Sequence, residues 1–160
     1  VNSMLMGLMK PMLTDVNMVS APAIVKERGI KVNETKKGQH GAYEGYIMLS
    51  VTTERQTRSV GGTVFGDGSP RIIQVKGIGM EAALTRDMLY VTNDDKPGFI
   101  GGLGTLLGES GVNIANFTLG RREAGGEAIC IVEVDGAPAP EILSRIEALP
   151  LVTQAKALAF

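Results

Sequence analysis

The chain has 160 residues, 44% of them hydrophobic and 21% charged, the make-up of a folded protein of one ordinary or two small domains and not of a disordered segment. Its 16 Lys and Arg against 17 Asp and Glu leave a net charge of −1, so no overall field draws it to nucleic acid or to an anionic membrane. A single cysteine excludes an internal disulfide and gives no sign of secretion, and the cytoplasm is the expected compartment.

The chain begins at Val1 rather than Met, and reads as a piece of a longer protein. Its apolar residues 1–9 lack a basic leader and are too short to cross a bilayer. Met4, Leu5, Leu8, Met9 and Met12 fall at helical spacing, which predicts a core or interface helix over 2–13 with a kink near Pro11. A second helix is predicted from Ala21 to Arg28, with Pro22 in its first turn and Gly29 suited to a left-handed residue just past its end. Ile30 to Glu34 alternates like a short strand, and Lys36 to Gly41 is polar and glycine-punctuated, as an exposed loop is. Strands are predicted over 43–53, 57–66 and 70–77, joined by Glu54-Arg55-Gln56 and by the turn signal Asp67-Gly68-Ser69-Pro70.

After a connection over 78–86, the pattern changes. Met88 to Asn93 reads as a strand, 97–110 as a helix opened by Pro97, and Val112 to Gly120 as a strand. Glu123-Ala124-Gly125-Gly126 reads as a turn and Glu127 to Asp135 as a strand. A helix follows Pro138 and Pro140 and stops at Pro150, and Val152 to Leu158 is the last strand. The order β-α-β-β-α-β is ferredoxin-like. The expected fold class is therefore α+β: a small α+β domain over 1–79, then a βαββαβ domain over 86–160.

Several tempting sites are set aside on chemistry. Gly98, Gly101, Gly102, Gly104 and Gly108 suggest a dinucleotide loop, but most of them lie inside the predicted helix, and no acidic residue follows at the required distance. Close packing of that helix on its sheet is the expected reason for them. One His and one Cys give no metal constellation and no nucleophilic triad, since His40 sits in the polar loop and Cys130 in the apolar run Ala-Ile-Cys-Ile-Val. No catalytic residue is expected.

The informative segment is Asn93-Asp94-Asp95-Lys96-Pro97-Gly98-Phe99, which joins a strand directly to a helix. Pro97 at the first helical position leaves the next amides without intrahelical partners, and these suit a carboxylate. Asp95 can accept an ammonium group, and Asn113 offers both donor and acceptor. Together they describe the backbone of a free amino acid. The alternative is that Asp95 caps the helix and Asn113 satisfies its turn. Arg55, Arg58 and Arg71, if brought together across neighbouring strands, offer a second anion site; solvated strand edges are the alternative.

The runs Asn-Asp-Asp-Lys-Pro-Gly-Phe-Ile (93–100), Gly-Thr-Leu-Leu-Gly (104–108), Gly-Val-Asn-Ile-Ala (111–115) and Leu-Gly-Arg-Arg-Glu-Ala-Gly-Gly-Glu-Ala (119–128) resemble the ACT domain of D-3-phosphoglycerate dehydrogenases. Asn-Met-Val-Ser-Ala-Pro-Ala (17–23), Glu-Arg-Gly-Ile (27–30) and Gly-Gly-Thr-Val-Phe-Gly-Asp-Gly-Ser-Pro-Arg-Ile (61–72) resemble the intervening domain of the long form of that family. The resemblance implies the regulatory part of an NAD-dependent enzyme of L-serine biosynthesis, with catalysis and NAD binding in domains that these residues do not match. It implies L-serine or a similar effector held by Asn93, Asp95 and Asn113 with the amides of Gly98 and Phe99 after Pro97, where ACT domains of two subunits meet, and hence a homo-oligomer. It also implies an anionic effector near the border of the two domains. Asn93 stands where serine-regulated members carry His or Tyr. A purely structural association module, or the regulatory part of an L-serine dehydratase, are the competing readings.

Overall fold

The computed structural model describes residues 1–35, 43 and 45–160, in two compact units, Val1–Gln39 and His40–Phe160. The expected loop over Lys36 to Gly41, with His40, lies outside the described residues.

The first unit is a helical pair. α1 (Asn2–Met9) buries Leu5 and Met9, and α2 (Ala21–Glu27) buries Ala21 and Val25 against them. Of the predicted stripe, Met12 is 56% exposed, because α1 stops before Pro11 and does not run to residue 13. The Asn17 side chain accepts the Val19 and Ser20 amides and turns the chain into α2. At the other end Gly29 (φ +70°) is left-handed, its amide bonds the Lys26 carbonyl, and the Ile30 amide reaches back to Val25 O, the Schellman arrangement that the glycine predicts. Ile30 to Glu34 forms no strand: alternation without a neighbouring ladder leaves Ile30 and Val32 exposed.

The second unit holds two four-stranded antiparallel sheets. The first is a meander of β1 (Ile47–Thr52), β2 (Thr57–Val64), β3 (Pro70–Val75) and β4 (Ile78–Ala83). β4 lies where the sequence predicts only a connection. It follows a two-residue turn at Lys76 (φ +52°) and Gly77 (φ +79°), the positive-φ pair that suits the twist of a hairpin.

The second sheet has the order β6-β7-β5-β8, from β5 (Asp87–Asp94), β6 (Ile114–Arg121), β7 (Glu127–Val134) and β8 (Val152–Ala159), with α3 (Phe99–Glu109) after β5 and α4 (Pro140–Glu147) after β7. This is the predicted βαββαβ path, and the fold class is α+β. Residue alternation gives the sheet two unlike faces. Leu89 and Val91 of β5, Cys130 and Val132 of β7 and Ala155 of β8 form one core with Phe99, Leu103, Leu106 and Leu107 of α3 and Ile146 of α4. Met88 and Ile131, on the opposite face, meet Ala82 of β4, with Ile72 and Met80 beside them. The first sheet therefore backs the face that the helices leave open.

Candidate functional site: the strand-to-helix corner after β5

Pro97 does not open α3. Gly98 (φ +102°) is the N-cap, and its carbonyl accepts the first intrahelical bond from Gly102 at 2.9 Å, so α3 begins at Phe99. Lys96-Pro97-Gly98-Phe99 is a turn, because a residue at so positive a φ cannot continue a right-handed helix. The amides of Phe99, Ile100 and Gly101 precede the first helical bond, and no side chain caps them. The Phe99 ring is buried in the core and anchors this end of the helix.

Asn93 pairs with Ala128 of β7 in unbroken register with Val91–Cys130 and Leu89–Val132, which places it on the helix-covered face at the end of β5 beside the start of α3. The side chain is 1% exposed. Its Nδ2 donates to the Asp94 carbonyl at 2.9 Å, and its Oδ1 is buried with no hydrogen-bond partner. A buried amide oxygen left unpaired costs about 1–3 kcal/mol, so its position calls for a reason.

Asp95 does not cap α3. Its Oδ2 accepts Arg121 Nη1 at 2.9 Å and the Gly125 amide at 3.1 Å, and its own amide donates to Gly126 O at 2.9 Å. The Arg121 hydrogen bond, then that of Gly125, holds the Asp95 carboxyl below its usual range. Arg121 pairs with Ala128 across β6 and β7, so Asn93, Ala128 and Arg121 stand in one row. Nothing in the sequence beyond the Leu-Gly-Arg-Arg run singles out Arg121.

Asn113 is elsewhere. It precedes Ile114, which pairs with Val134, and its Nδ2 bonds Asp135 Oδ2 at 2.7 Å. From Ala128 to Val134 β7 runs about 20 Å, so within one chain Asn113 and the corner lie at opposite ends of the sheet.

Residues 1–76 match the family model of the D-3-phosphoglycerate dehydrogenase intervening domain, and residues 88–151 match that of the ACT domain. The D-3-phosphoglycerate dehydrogenase of Bacillus subtilis is 32% identical over 155 residues, 96% of this chain and 30% of that protein. That of Methanocaldococcus jannaschii is 30% identical over 147 residues (91% and 28%), and that of a Synechocystis strain 37% over 142 residues (88% and 26%). The chain belongs to the D-3-phosphoglycerate dehydrogenase family. It corresponds to the C-terminal part of these relatives and spans less than a third of their length.

In this intervening-plus-ACT chain the three predicted arginines are not brought together. Arg71 lies opposite Thr63 on β2, over the Phe65 ring, while Arg58 lies opposite Val51 at the other end of β2, and the Arg55 amide is tied into the β1–β2 turn by Thr53. Arg58 instead lines a cavity of about 450 Å³ with Lys76, Thr92, Glu127, Thr153 and Lys156, on the face of the sheet away from Asn93.

The α3 glycines correct another expectation. A Cβ added at Gly101, Gly102, Gly104 or Gly108 would meet nothing within 4 Å, so these positions are not there for close contact with the sheet. Lying inside α3, they also cannot make the strand-to-helix phosphate turn of a dinucleotide site. Cys130 is a core residue whose thiol is pushed up to about 12 by burial. Among the described residues no helix is long and apolar enough to cross a membrane, and no cluster of His, Cys, Asp or Glu could hold a metal ion.

Proposed function

We propose that this chain is the regulatory and subunit-association part of an NAD-dependent D-3-phosphoglycerate dehydrogenase of L-serine biosynthesis, and that it binds L-serine or a related small amino acid at the β5–α3 corner. One observation carries the reading: Asn93, whose buried Oδ1 is unpaired, stands near the end of β5 on the helix-covered face, and the chain turns from there into the uncapped amides of α3. The amides suit the ligand carboxylate, the Asn93 amide oxygen suits a donor of the ligand, and Asp95 suits its ammonium. ACT domains generally bind amino-acid effectors and are often oligomeric, which supports the same reading.

The size of the ligand favours a second copy. Serine has about seven heavy atoms, so at about −1.5 kcal/mol each its binding is bounded near −10 kcal/mol, and micromolar affinity takes about −8. Nearly every polar atom of the ligand must then find a partner. Asn113 is too far away in the same chain, so it joins the site only from a neighbouring subunit. The edge strands β6 and β8, and the exposed Ile100 and Leu119, leave the ACT unit surface for such pairing.

Calorimetric titration of the 160-residue chain with L-serine tests this. Saturable binding, weakened about 10- to 100-fold by Asp95→Ala, is expected from the loss of a charge-assisted hydrogen bond. Equal affinities would remove Asp95 from the site. The occupation of Asp95 by Arg121 favours a second reading, an association module with a closed corner. Self-association without any heat of serine binding would establish it.

A further inference from the structure

The Leu119-Gly120-Arg121-Arg122 run ends β6 at the hairpin that faces the corner, and its two arginines act on opposite sides of the sheet. Arg121 reaches Asp95 on the helix-covered face. Arg122 Nη2 donates to the Lys76 carbonyl at 2.8 Å, in the β3–β4 turn of the first sheet. The same turn is held again by the Lys76 ion pair with Glu127, the first residue of β7. Gly120, between these contacts, admits the backbone of Gly79. One short hairpin thus grips the effector corner with one face and the intervening-domain sheet with the other.

We propose that Arg121 is a built-in competitor for Asp95: a ligand ammonium reaches the carboxylate by taking the place of the guanidinium, and the released hairpin carries occupancy to the β3–β4 turn through Arg122 and Glu127. This rests on the reading that an amino acid binds at the corner. Only Nη1 of Arg121 holds Asp95, and the side chain is 58% exposed, so the bond is one that a ligand can displace. Asp95 is tied to the hairpin by Gly125 and Gly126 as well, so a change at its carboxylate is felt directly by the hairpin tip. Whatever hairpin contact opposes the ligand must itself be weakened by the ligand, because coupling between two sites is reciprocal. The hairpin then has two arrangements, closed on Asp95 or released from it, and the ligand selects the second.

The test is calorimetry with L-serine on the full 160-residue chain and its Arg121→Met and Arg121→Lys variants, joined to amide hydrogen exchange of the wild type and Arg122→Met. Removing a competing exposed ion pair should tighten serine binding about 2- to 5-fold in Arg121→Met, with Arg121→Lys between it and the wild type. Serine should speed exchange over residues 121–126 and over 76–80 in the wild type. Arg122→Met should keep the first response and lose at least half of the second. Equal or weaker binding by both Arg121 variants, with the wild type binding normally, would overturn the competitor and leave the corner site standing. A serine response confined to 121–126 in the wild type would overturn the transmission. A wild-type chain that takes up no serine would overturn the corner site and this inference together.

Discussion

A Cβ placed on Gly120 would lie 2.8 Å from the carbonyl oxygen of Gly79 and 2.9 Å from Ile78 Cγ2. Neither neighbour is the end of a flexible chain: one is backbone, and Ile78 is fully buried. The contact joins β6 to β4, the two sheets of the unit, so Gly120→Ala cannot be absorbed by a rotamer change. It should cost about 1–3 kcal/mol, as forced overpacking does. Chemical denaturation would show it as a lower midpoint at unchanged slope. Wild-type stability in Gly120→Ala would mean that the sheets part easily there.

The opposite outcome is expected in α3. Gly104 lies inside the helix with open space where a Cβ would go. Its glycine carries only the backbone-entropy cost, about 0.8–1 kcal/mol relative to alanine. Gly104→Ala should therefore raise stability by about that amount in dilute solution. Loss of stability there, seen in the same denaturation measurement, would show that something covers this face of α3.

The βαββαβ path was legible because long apolar stripes and strong turns mark each element, from the helix with Leu103, Leu106 and Leu107 to the turn Glu123–Gly126. β4 was not, because Ile-Gly-Met-Glu-Ala-Ala carries one β-branched residue and its turn places a lysine at positive φ where Asn is the usual signal. Ile30 to Glu34 failed the other way: alternation describes a strand, but only a neighbour makes one. At the corner, Asp95 and the amides after Pro97 were picked out by local sequence, and Asn93 only by the family resemblance. The separation of Asn113 was not, because α3 carries the chain back along β5 and delivers Asn113 to the far end of the sheet. Arg121 was invisible for the same reason, since only pairing across β7 brings it level with Asn93.

Acid should open the Asp95 clasp. The carboxyl titrates below its ordinary value because Arg121, and then Gly125, bond its charged form. A group with a depressed folded pKa stabilises the fold at all pH above its unfolded value, about 3.9, and that contribution disappears as pH falls through the lower folded value. The stability gap between wild type and Asp95→Asn should thus be constant above about pH 5 and close only below about pH 4. Thermal midpoints of the two proteins across that range measure it. A gap that closed near neutrality would place the titration on another group.

Asn93 offers the sharpest separation of binding from stability. Its buried Oδ1 is an unpaired acceptor, and only Nδ2 is satisfied, by the Asp94 carbonyl. Replacing an unsatisfied polar group by an apolar one of similar shape is neutral or favourable, since it removes a desolvation penalty of about 1–3 kcal/mol and gives up one hydrogen bond worth about 1. Asn93→Leu should therefore leave the free protein as stable as the wild type or more so. The same change deletes a polar group from the corner, so on the proposed reading serine affinity should fall at least 10-fold, and the thermal shift expected from serine in the wild type should shrink accordingly. A structural role for Asn93 predicts the reverse: a destabilised chain with serine binding untouched wherever it folds. Denaturation and calorimetry on the single variant decide between the two.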